Sequence, residues 1–184
     1  MNYCSQCGNP VILKIPVDDN RERFVCDHCG HVHYQNPNNV CGAILTRGER
    51  ILLCKRAIEP RYGLWTLPAG FMENHETVAE AAARETMEEA NARADALTLF
   101  GIFSMPYISQ VYMMFHGELV SDISPGPESL EVGLFTRAQI PWDQLAFPVI
   151  THSLELYFEH GAGKVHHAWF SRGADRSVEL HSID

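Results

Sequence analysis

The chain has 184 residues and a formal net charge of −9, from 23 acidic and 14 basic residues. This charge disfavours non-specific binding to nucleic acid or to an anionic membrane, but it permits a phosphorylated small molecule if bound metal ions supply positive charge. No apolar run is as long as a membrane span, and the N-terminus has neither a signal nor a transit peptide pattern. A cytoplasmic location is therefore expected.

The first thirty-odd residues carry two C-x-x-C-G motifs. They read CSQCG, with Cys4 and Cys7, and CDHCG, with Cys26 and Cys29. Zinc prefers four soft donors at tetrahedral corners, and each motif can supply two thiolates from one turn that a positive-φ glycine closes. The spacing predicts a structural zinc ribbon over residues 1–34. The alternatives are a redox dithiol or two coincidental turns, and redox C-x-x-C motifs seldom come doubled at this spacing.

A second domain is predicted over residues 38–184, after the linker-like segment YQNPNN. Apolar runs predict a hairpin from VCGAIL and RILLCK, followed by strands in LTLFGIFSM, QVYMMFHGELV and EVGLFT. Helices are predicted at about 77–90 and 148–160. Strands interrupted by two helices indicate a mixed sheet between helices, which is an α/β or α+β layer architecture. Cys41 and Cys54, in the hairpin, are expected to be small buried hydrophobic residues.

The first predicted helix has an acidic face. Glu85, Glu88 and Glu89 fall within an arc of about 100° on a helical wheel. The residues on the opposite side, which are expected to pack on the sheet, are Ala79, Ala83, Met87 and Ala90. Like charges at these spacings cost roughly 0.2–0.5 kcal/mol per pair in an isolated helix, and Arg84 offsets part of that. Such a face is either a solvated surface or a site for a cation.

The stretch GFMENHETVAEAAARETMEEANA resembles the Nudix box, G-x5-E-x7-R-E-U-x-E-E-x-G-U, in which U is a bulky aliphatic residue. The glycine and charged positions in register are Gly70, Glu76, Arg84, Glu85, Glu88 and Glu89. The resemblance implies an α/β/α sandwich in which the box forms a loop–helix–loop that binds divalent metal ions. Carboxylate oxygens are the ligands that such hard cations prefer.

The resemblance also implies individual roles. Glu85, Glu88 and Glu89 become ligands for Mg²⁺ or Mn²⁺, assisted by the carbonyl of Gly70. Glu85 is also a candidate catalytic base. Arg84 is also predicted to be a catalytic residue.

Arg84 is expected to pair with Glu76 and so to orient the loop on the helix. Two positions depart from the pattern, since Thr86 replaces the aliphatic residue and Asn91 replaces the second glycine. Asn is the non-glycine residue that best tolerates a left-handed conformation at a helix end, so Asn91 is expected to stop the helix.

The box predicts hydrolysis of a nucleoside diphosphate linked to a second group, and other segments narrow the choice of that group. Two groups of proteins that join a zinc ribbon to a Nudix domain are similar to this chain. The NADH pyrophosphatases carry an SQPWPFPxS array, whereas this sequence reads FSMPYISQVYMMF. The plant chloroplast FAD pyrophosphatase type is matched by YQNP, LLCKR, GLWTLPAG, PGPESLE and LAF. That resemblance implies hydrolysis of FAD to FMN and AMP, with ADP-ribose as a second substrate.

Five further residues are candidates for the site. Glu131 occupies the position of an acid that many Nudix enzymes use as an additional ligand or base; the alternative is a charged residue at a strand edge. Arg56 either contacts a substrate phosphate or is a surface arginine. Phe71, Tyr107 and Phe135 are candidates for stacking on an adenine or flavin ring, with core packing as the alternative.

Two other functions remain open. One is a pyrophosphatase for NADH, ADP-ribose or an NAD-capped RNA end. The other is a regulatory protein whose ribbon binds DNA, which the acidic composition and intact box disfavour. The expected partner is a small-molecule dinucleotide, without nucleic acid or membrane. The ribbon either caps the hydrolase domain or forms a homodimer interface.

Overall fold

The computed structural model describes residues 1–174 and 177–183, and the chain divides into two compact units, Met1–Pro37 and Asn38–Asp184. The first unit is built on an antiparallel sheet. Its strands, in spatial order, are β1 (Ile12–Lys14), β2 (Arg23–Val25) and β3 (Val32–His33). One C-x-x-C-G motif precedes β1 and the other lies between β2 and β3, so the sheet brings the two motifs together.

The second unit is a mixed sheet with a helix on each face. Its strands are β4 (Asn38–Arg47), β5 (Arg50–Arg56), β6 (Trp65–Thr66), β7 (Ala69–Phe71), β8 (Thr98–Met105), β9 (Gln110–Glu118), β10 (Ser129–Phe135), β11 (His166–Arg172) and β12 (Val178–Ser182). Its helices are α1 (Val78–Ala90) and α2 (Pro148–His160), with short 3-10 helices at Pro106–Ile108 and Trp142–Gln144. No helix in the described part of the chain combines the length and apolarity needed to cross a membrane.

The sheet follows the order β10-β5-β4-β9-β8-β11-β12, with β6 beside β5 and β7 beside β4. The β4–β9 and β8–β11 pairs are parallel, and the other pairs are antiparallel. The predicted hairpin is β4–β5, and the strands predicted in the middle of the domain are β8, β9 and β10. Sequence reasoning missed β6 and β7, because strands of two or three residues are too short to show an alternating pattern. It also missed β11 and β12 at the C-terminus.

Alternation along β4 supplies both faces of the sheet. Cys41, Ala43 and Leu45 pack in the core cluster that includes Ala81 and Ala82 of α1. The alternate residues Val40 and Ile44 point to the other face. There a second cluster joins them to Val149, Ile150 and Leu154 of α2. The predicted α/β/α sandwich with a mixed sheet is confirmed. Cys41 and Cys54 are buried, as predicted.

The buried side of α1 differs from the prediction. Its buried residues are Ala81, Ala82, Glu85, Thr86, Glu89 and Ala90, whereas Ala83 is exposed and Ala79 and Met87 are only half-buried. The apolar face expected from the wheel is therefore only partly right: Ala90 is buried and Ala79 packs against the core cluster of α1, but the helix also turns two of its carboxylates inward. Thr86 tolerates this burial since its hydroxyl donates to the carbonyl of Ala83 at 2.8 Å.

Candidate active site

Local sequence signals set both ends of α1. At the start, the Thr77 side chain accepts from the Glu80 amide at 3.3 Å, and the Glu80 carboxylate accepts from the Thr77 amide at 2.8 Å. This capping box satisfies two amides that the first turn leaves without partners. At the end, Asn91 takes φ 50° and ψ 30°, and its amide donates to Met87 at 2.9 Å. The predicted left-handed helix stop is confirmed.

Arg84 joins the loop to the helix. Its guanidinium forms a two-pronged ion pair with Glu76, at 2.7 and 3.0 Å, and donates to the carbonyl of Phe71 at 3.0 Å. The remaining nitrogen donates to Glu85 at 2.7 Å and to Glu88 at 2.9 Å. Arg84, together with the Glu73 amide, lowers the pKa of Glu76 to about 2. All three guanidinium nitrogens of Arg84 donate to protein oxygens, so this residue links the loop of the box to its helix.

Two carboxylates of α1 are buried beside the loop. Glu85 and Glu89 are 8% and 5% exposed, and a Cβ added at Gly70 would overlap the Glu85 carboxylate. Burial raises the pKa of Glu85, and burial together with the Glu85 charge raises the pKa of Glu89 to about 8. Oε2 of Glu89 has no hydrogen-bond partner within the described residues. Oxygens held in this way would be stabilised as anions by a cation.

A cavity of about 890 Å³ opens beside these carboxylates. Its lining has a charged part and an apolar part. The charged residues are Arg56, Glu59, Glu73, Arg84, Glu85, Glu88, Glu89 and Glu128. The apolar and aromatic residues include Phe71, Met105, Tyr107, Ile108, Tyr112, Phe147 and Val149. The volume and the mixed chemistry are those of a site for a ligand that has both a charged and an apolar portion.

Arg56 supplies positive charge in this cavity beside the acids. Its Nε donates to the Pro60 carbonyl at 2.9 Å, and its guanidinium lies 5.2 Å from the centre of the Phe147 ring. Its charge opposes the rise in the pKa of Glu89. The guanidinium is therefore fixed from two sides within the cavity, as an anion-binding group should be.

The three aromatic candidates separate into two groups. Phe71 and Tyr107 line the cavity. Phe135 instead packs edge to face on Trp65, with ring centres 4.9 Å apart, in the core on the α2 face. The alternative of core packing therefore holds for Phe135.

Glu131 is not part of the described lining of the cavity, so the structure does not bring it together with the helix carboxylates. It pairs in register with Lys55, and their side chains approach to 3.8 Å. The next pair along, Val132 and Cys54, packs in the core cluster of α1. Since successive strand residues point to opposite faces, Glu131 lies on the face away from α1. Glu131 therefore lies where the alternative interpretation puts it, as a charged residue at a strand edge.

Glu128 is the acid that the loop before β10 brings to the cavity. Its charge raises the pKa values of both Glu85 and Glu89. The motif PGPESLE, which contains both Glu128 and Glu131, pointed to this loop. Only the register of β10 distinguishes the two acids.

The first unit contains a separate metal-binding arrangement. The Sγ atoms of its four cysteines lie within 4.8 Å of one another, with Cys4 to Cys29 at 3.7 Å and Cys7 to Cys26 at 3.5 Å. Four thiolates at about 2.3 Å from a tetrahedral zinc ion would lie about 3.8 Å apart, so the donors fit that metal. The glycines that follow the motifs, at positions 8 and 30, have φ values of 72° and 74°, as predicted.

Comparison with protein families agrees with both units. Residues 2–35 match a zinc-ribbon family described as Nudix N-terminal, and residues 36–153 match the NUDIX domain. The chain belongs to the Nudix hydrolase family. Members of that family use divalent metal ions, and the carboxylates around Glu85 and Glu89 are suited to one.

Several Nudix relatives resemble the chain. The NAD-capped RNA hydrolase NudC of Pseudomonas aeruginosa is 26% identical over 165 residues, which cover 88% of this chain and 57% of that protein. The ADP-ribose pyrophosphatase of Methanocaldococcus jannaschii is 31% identical over 121 residues, covering 62% of this chain and 69% of that protein. The chain thus spans little more than half the length of the curated NudC relatives.

Solved Nudix structures share the architecture. The crystal structure of a NUDIX hydrolase from Nitrosomonas europaea has a TM-score of 0.87 and 50% sequence identity, and the match covers 92% of this chain and 98% of that chain. A bifunctional NMN adenylyltransferase/ADP ribose pyrophosphatase from Francisella tularensis matches with a TM-score of 0.58 at 20% identity, over 68% of this chain and 42% of that chain. The second likeness concerns the fold alone.

Proposed function

We propose that the chain is a pyrophosphatase that cleaves the phosphoanhydride bond of an ADP-containing dinucleotide, and that FAD, cut to FMN and AMP, is its preferred substrate. The observation that carries this proposal is the cavity of about 890 Å³, in which the acidic Nudix helix and an aromatic, apolar lining meet. A dinucleotide has matching parts, because a charged pyrophosphate joins two ring systems.

The proposed ligands for Mg²⁺ or Mn²⁺ are Glu85, Glu88, Glu89 and the carbonyl of Gly70, with Glu128 as an addition. Three observations support the fit: Oε2 of Glu89 has no hydrogen-bond partner among the described residues, the pKa values of Glu85 and Glu89 are raised, and these ions prefer carboxylate oxygen. When bound, the ions neutralise the pyrophosphate and favour attack by water on phosphorus.

The chain's own residues have separable roles in this proposal. Arg56 binds a phosphate oxygen of the substrate, because its guanidinium is fixed in the cavity. Glu128 accepts the proton of the attacking water, with Glu85 as the other candidate, and both line the cavity. Arg84 acts as a positioning residue, since Glu76, Phe71 and the helix acids already occupy its nitrogens.

The choice of FAD is supported by the sequence segments that line the cavity. Four of the segments that resemble the FAD pyrophosphatase type contribute to the lining: LLCKR through Arg56, GLWTLPAG through Ala69, PGPESLE through Glu128 and LAF through Phe147. Tyr107 and Phe71 offer rings for stacking on a flavin or an adenine, and such stacking is worth about 1 kcal/mol beyond the buried area.

The second candidate substrate class comprises NADH, NAD and ADP-ribose. The relatives' names favour it, since one is an NAD-capped RNA hydrolase and another an ADP-ribose pyrophosphatase. The same carboxylates and Arg56 would serve, because all of these molecules share the ADP pyrophosphate.

Product analysis tests the proposal. The purified full chain would be incubated with FAD, NADH, NAD or ADP-ribose, with Mg²⁺ or Mn²⁺, and the nucleotides separated by chromatography. We expect FMN and AMP from FAD, with a higher kcat/KM than for the other substrates, and we expect Glu89→Gln to lose the activity. Cleavage of NADH or ADP-ribose with FAD intact would establish the second candidate. If metal-loaded protein leaves all four intact, the proposal fails.

For the first unit, we propose that residues 1–34 form a structural zinc ribbon and that residues 38–184 form the hydrolase domain. Four thiolates at tetrahedral spacing support the zinc assignment. A site with four protein ligands has no open position for a substrate, so the expected role of the zinc is structural.

A further inference from the structure

Asn91 stands where the Nudix pattern has glycine. Its φ of 50° and ψ of 30° lie in the left-handed region, which glycine adopts with no steric penalty. The backbone geometry alone would therefore favour glycine. The contacts of the asparagine side chain give a reason for the replacement.

The Asn91 amide reaches a loop thirty-three residues further along the chain. Its Nδ2 lies 3.0 Å from the hydroxyl and 3.2 Å from the carbonyl of Ser124, and 3.5 Å from the carbonyl of Pro125. The first two are ordinary hydrogen-bond distances. A glycine at position 91 would have no atom able to make them.

The same loop also caps the end of α1. The Ser124 amide donates to the carbonyl of Ala90 at 3.0 Å, and the Gly126 amide donates to that of Glu89 at 2.9 Å. These carbonyls belong to the last turn, where a helix leaves its acceptors without internal partners. A Cβ on Gly126 would overlap the carbonyl of Glu88, so the loop lies directly against the helix backbone.

Glu128 follows this contact by two residues. Its own backbone is held on the other side, because its carbonyl accepts from the Ala57 amide at 2.8 Å. The carboxylate at position 128 and those at 85 and 89 thus share one cavity, although the first belongs to the loop and the others to the helix. The distance between them depends on how the loop is tied to the helix end.

We propose that Asn91 is a positioning residue that holds the 124–128 loop on the end of α1 and thereby sets Glu128 against Glu85 and Glu89. This inference rests on the proposed function, in which Glu128 takes part in hydrolysis. A small displacement of a reacting group can cost about 100-fold in rate, so a tether without any substrate contact can affect turnover.

Two variants separate the tether from the helix stop. Asn91→Gly keeps the left-handed conformation and removes the side chain. Asn91→Asp keeps the shape but turns a carboxylate oxygen toward the carbonyls of Ser124 and Pro125 in place of the donor, so these contacts become repulsive although the Ser124 hydroxyl can still donate to the carboxylate. We expect both variants to fold with a Tm close to that of the wild type.

The first readout is amide hydrogen exchange in metal-free protein. Exchange at Ser124 and Gly126 should quicken in both variants, while exchange in the middle of α1 stays the same. Unchanged exchange at these amides would show that the Asn91 side chain does not hold the loop on the end of α1. This measurement needs no substrate, so it remains decisive even if the chain hydrolyses none of the nucleotides.

The second readout is a double-mutant cycle with Glu128→Gln, using whichever nucleotide the wild type cleaves best. We expect Asn91→Gly to lower kcat about 10-fold, with little change in KM, in the wild-type background and to have almost no effect when Glu128 is already replaced. An equal loss in both backgrounds, or no loss in either, would show that Asn91 does not act through Glu128.

Discussion

Glu85 and Glu89 lie on the side of α1 that packs toward the sheet, and their burial sets the electrostatics of the site. An ionised carboxylate is disfavoured in such a place, which is why the pKa of Glu89 rises to about 8. The rest of the buried side is occupied by small residues, which are Ala81, Ala82, Thr86 and Ala90. The helix thus positions two acids at the cavity while burying enough apolar surface to stay on the sheet.

The two acids of PGPESLE give a matched pair of variants. Glu128→Gln should lower kcat about 100-fold, as expected for loss of a group that accepts a proton or binds the metal. Glu131→Gln should leave kcat within about twofold, because its side chain forms an exposed ion pair with Lys55. Steady-state kinetics at saturating metal would check both. A large loss in Glu131→Gln would return that residue to the site.

The Glu76–Arg84 pair predicts a pH dependence of stability. Hydrogen bonds from Arg84 and from the Glu73 amide lower the folded-state pKa of Glu76 to about 2, below the ordinary value of about 4.3. The carboxylate therefore contributes stability above pH 4.3, and this contribution is lost as the pH falls toward 2.

Urea unfolding of the wild type and Glu76→Gln at a series of pH values would measure this. The wild type should be more stable at pH 7, and the difference in unfolding free energy should shrink steadily below pH 4.3. Because both proteins contain Glu85 and Glu89, the titration of these residues cancels in the difference between the two unfolding free energies. A difference that does not vary with pH would mean that the pair contributes nothing as an ion pair.

At the scale of elements, α1 is fixed at its start by its own sequence and at its end by a distant loop. The Thr77–Glu80 capping box needs only four consecutive residues, so it forms wherever the helix forms. The last carbonyls depend on Ser124 and Gly126, which belong to the segment before β10. The end of the helix is therefore coupled to the strand at the edge of the sheet.

Gly126 is where the loop lies closest to the helix backbone, so replacing it tests whether the loop and the helix end are coupled. Gly126→Ala should destabilise the protein by about 1–3 kcal/mol and reduce kcat, because the added methyl group overlaps the carbonyl of Glu88 and forces the loop away. Gly163→Ala is the control, since a Cβ there meets no atom of the described residues within 4 Å. It should change stability by less than about 0.5 kcal/mol. Equal effects of the two substitutions would contradict the close packing.

The two units of the chain have separate means of stabilisation. The two apolar core clusters of the second unit contain only residues from Val40 onward. The first unit has a small sheet, and its buried hydrophobic residues are Cys4, Val25 and Cys26. A unit of this size needs a metal or disulfides to stay folded, so its stability should depend on zinc.

Zinc removal should therefore affect one unit selectively. In protein treated with a strong chelator, or in Cys26→Ser, we expect proteases to cleave within residues 1–37 while the thermal transition of the second unit changes little. Limited proteolysis with mass spectrometry, together with calorimetry, would measure both. Added Zn²⁺, but not Mg²⁺, should restore protection of the chelated wild type. Loss of both units together would contradict their separate stabilisation.

The sequence by itself determined the features that rest on local spacing. The cysteine motifs and the helix stop at Asn91 could be predicted because each depends on residue types and spacing within a short stretch. The α/β/α sandwich followed from the resemblance of one stretch of 23 residues to the Nudix box. The tertiary structure decided which side of α1 is buried, and that Glu128 rather than Glu131 reaches the cavity. Both outcomes depend on contacts between distant segments. A shift of one residue in the register of β10 would exchange the faces of its side chains, and nothing within PGPESLE specifies that register.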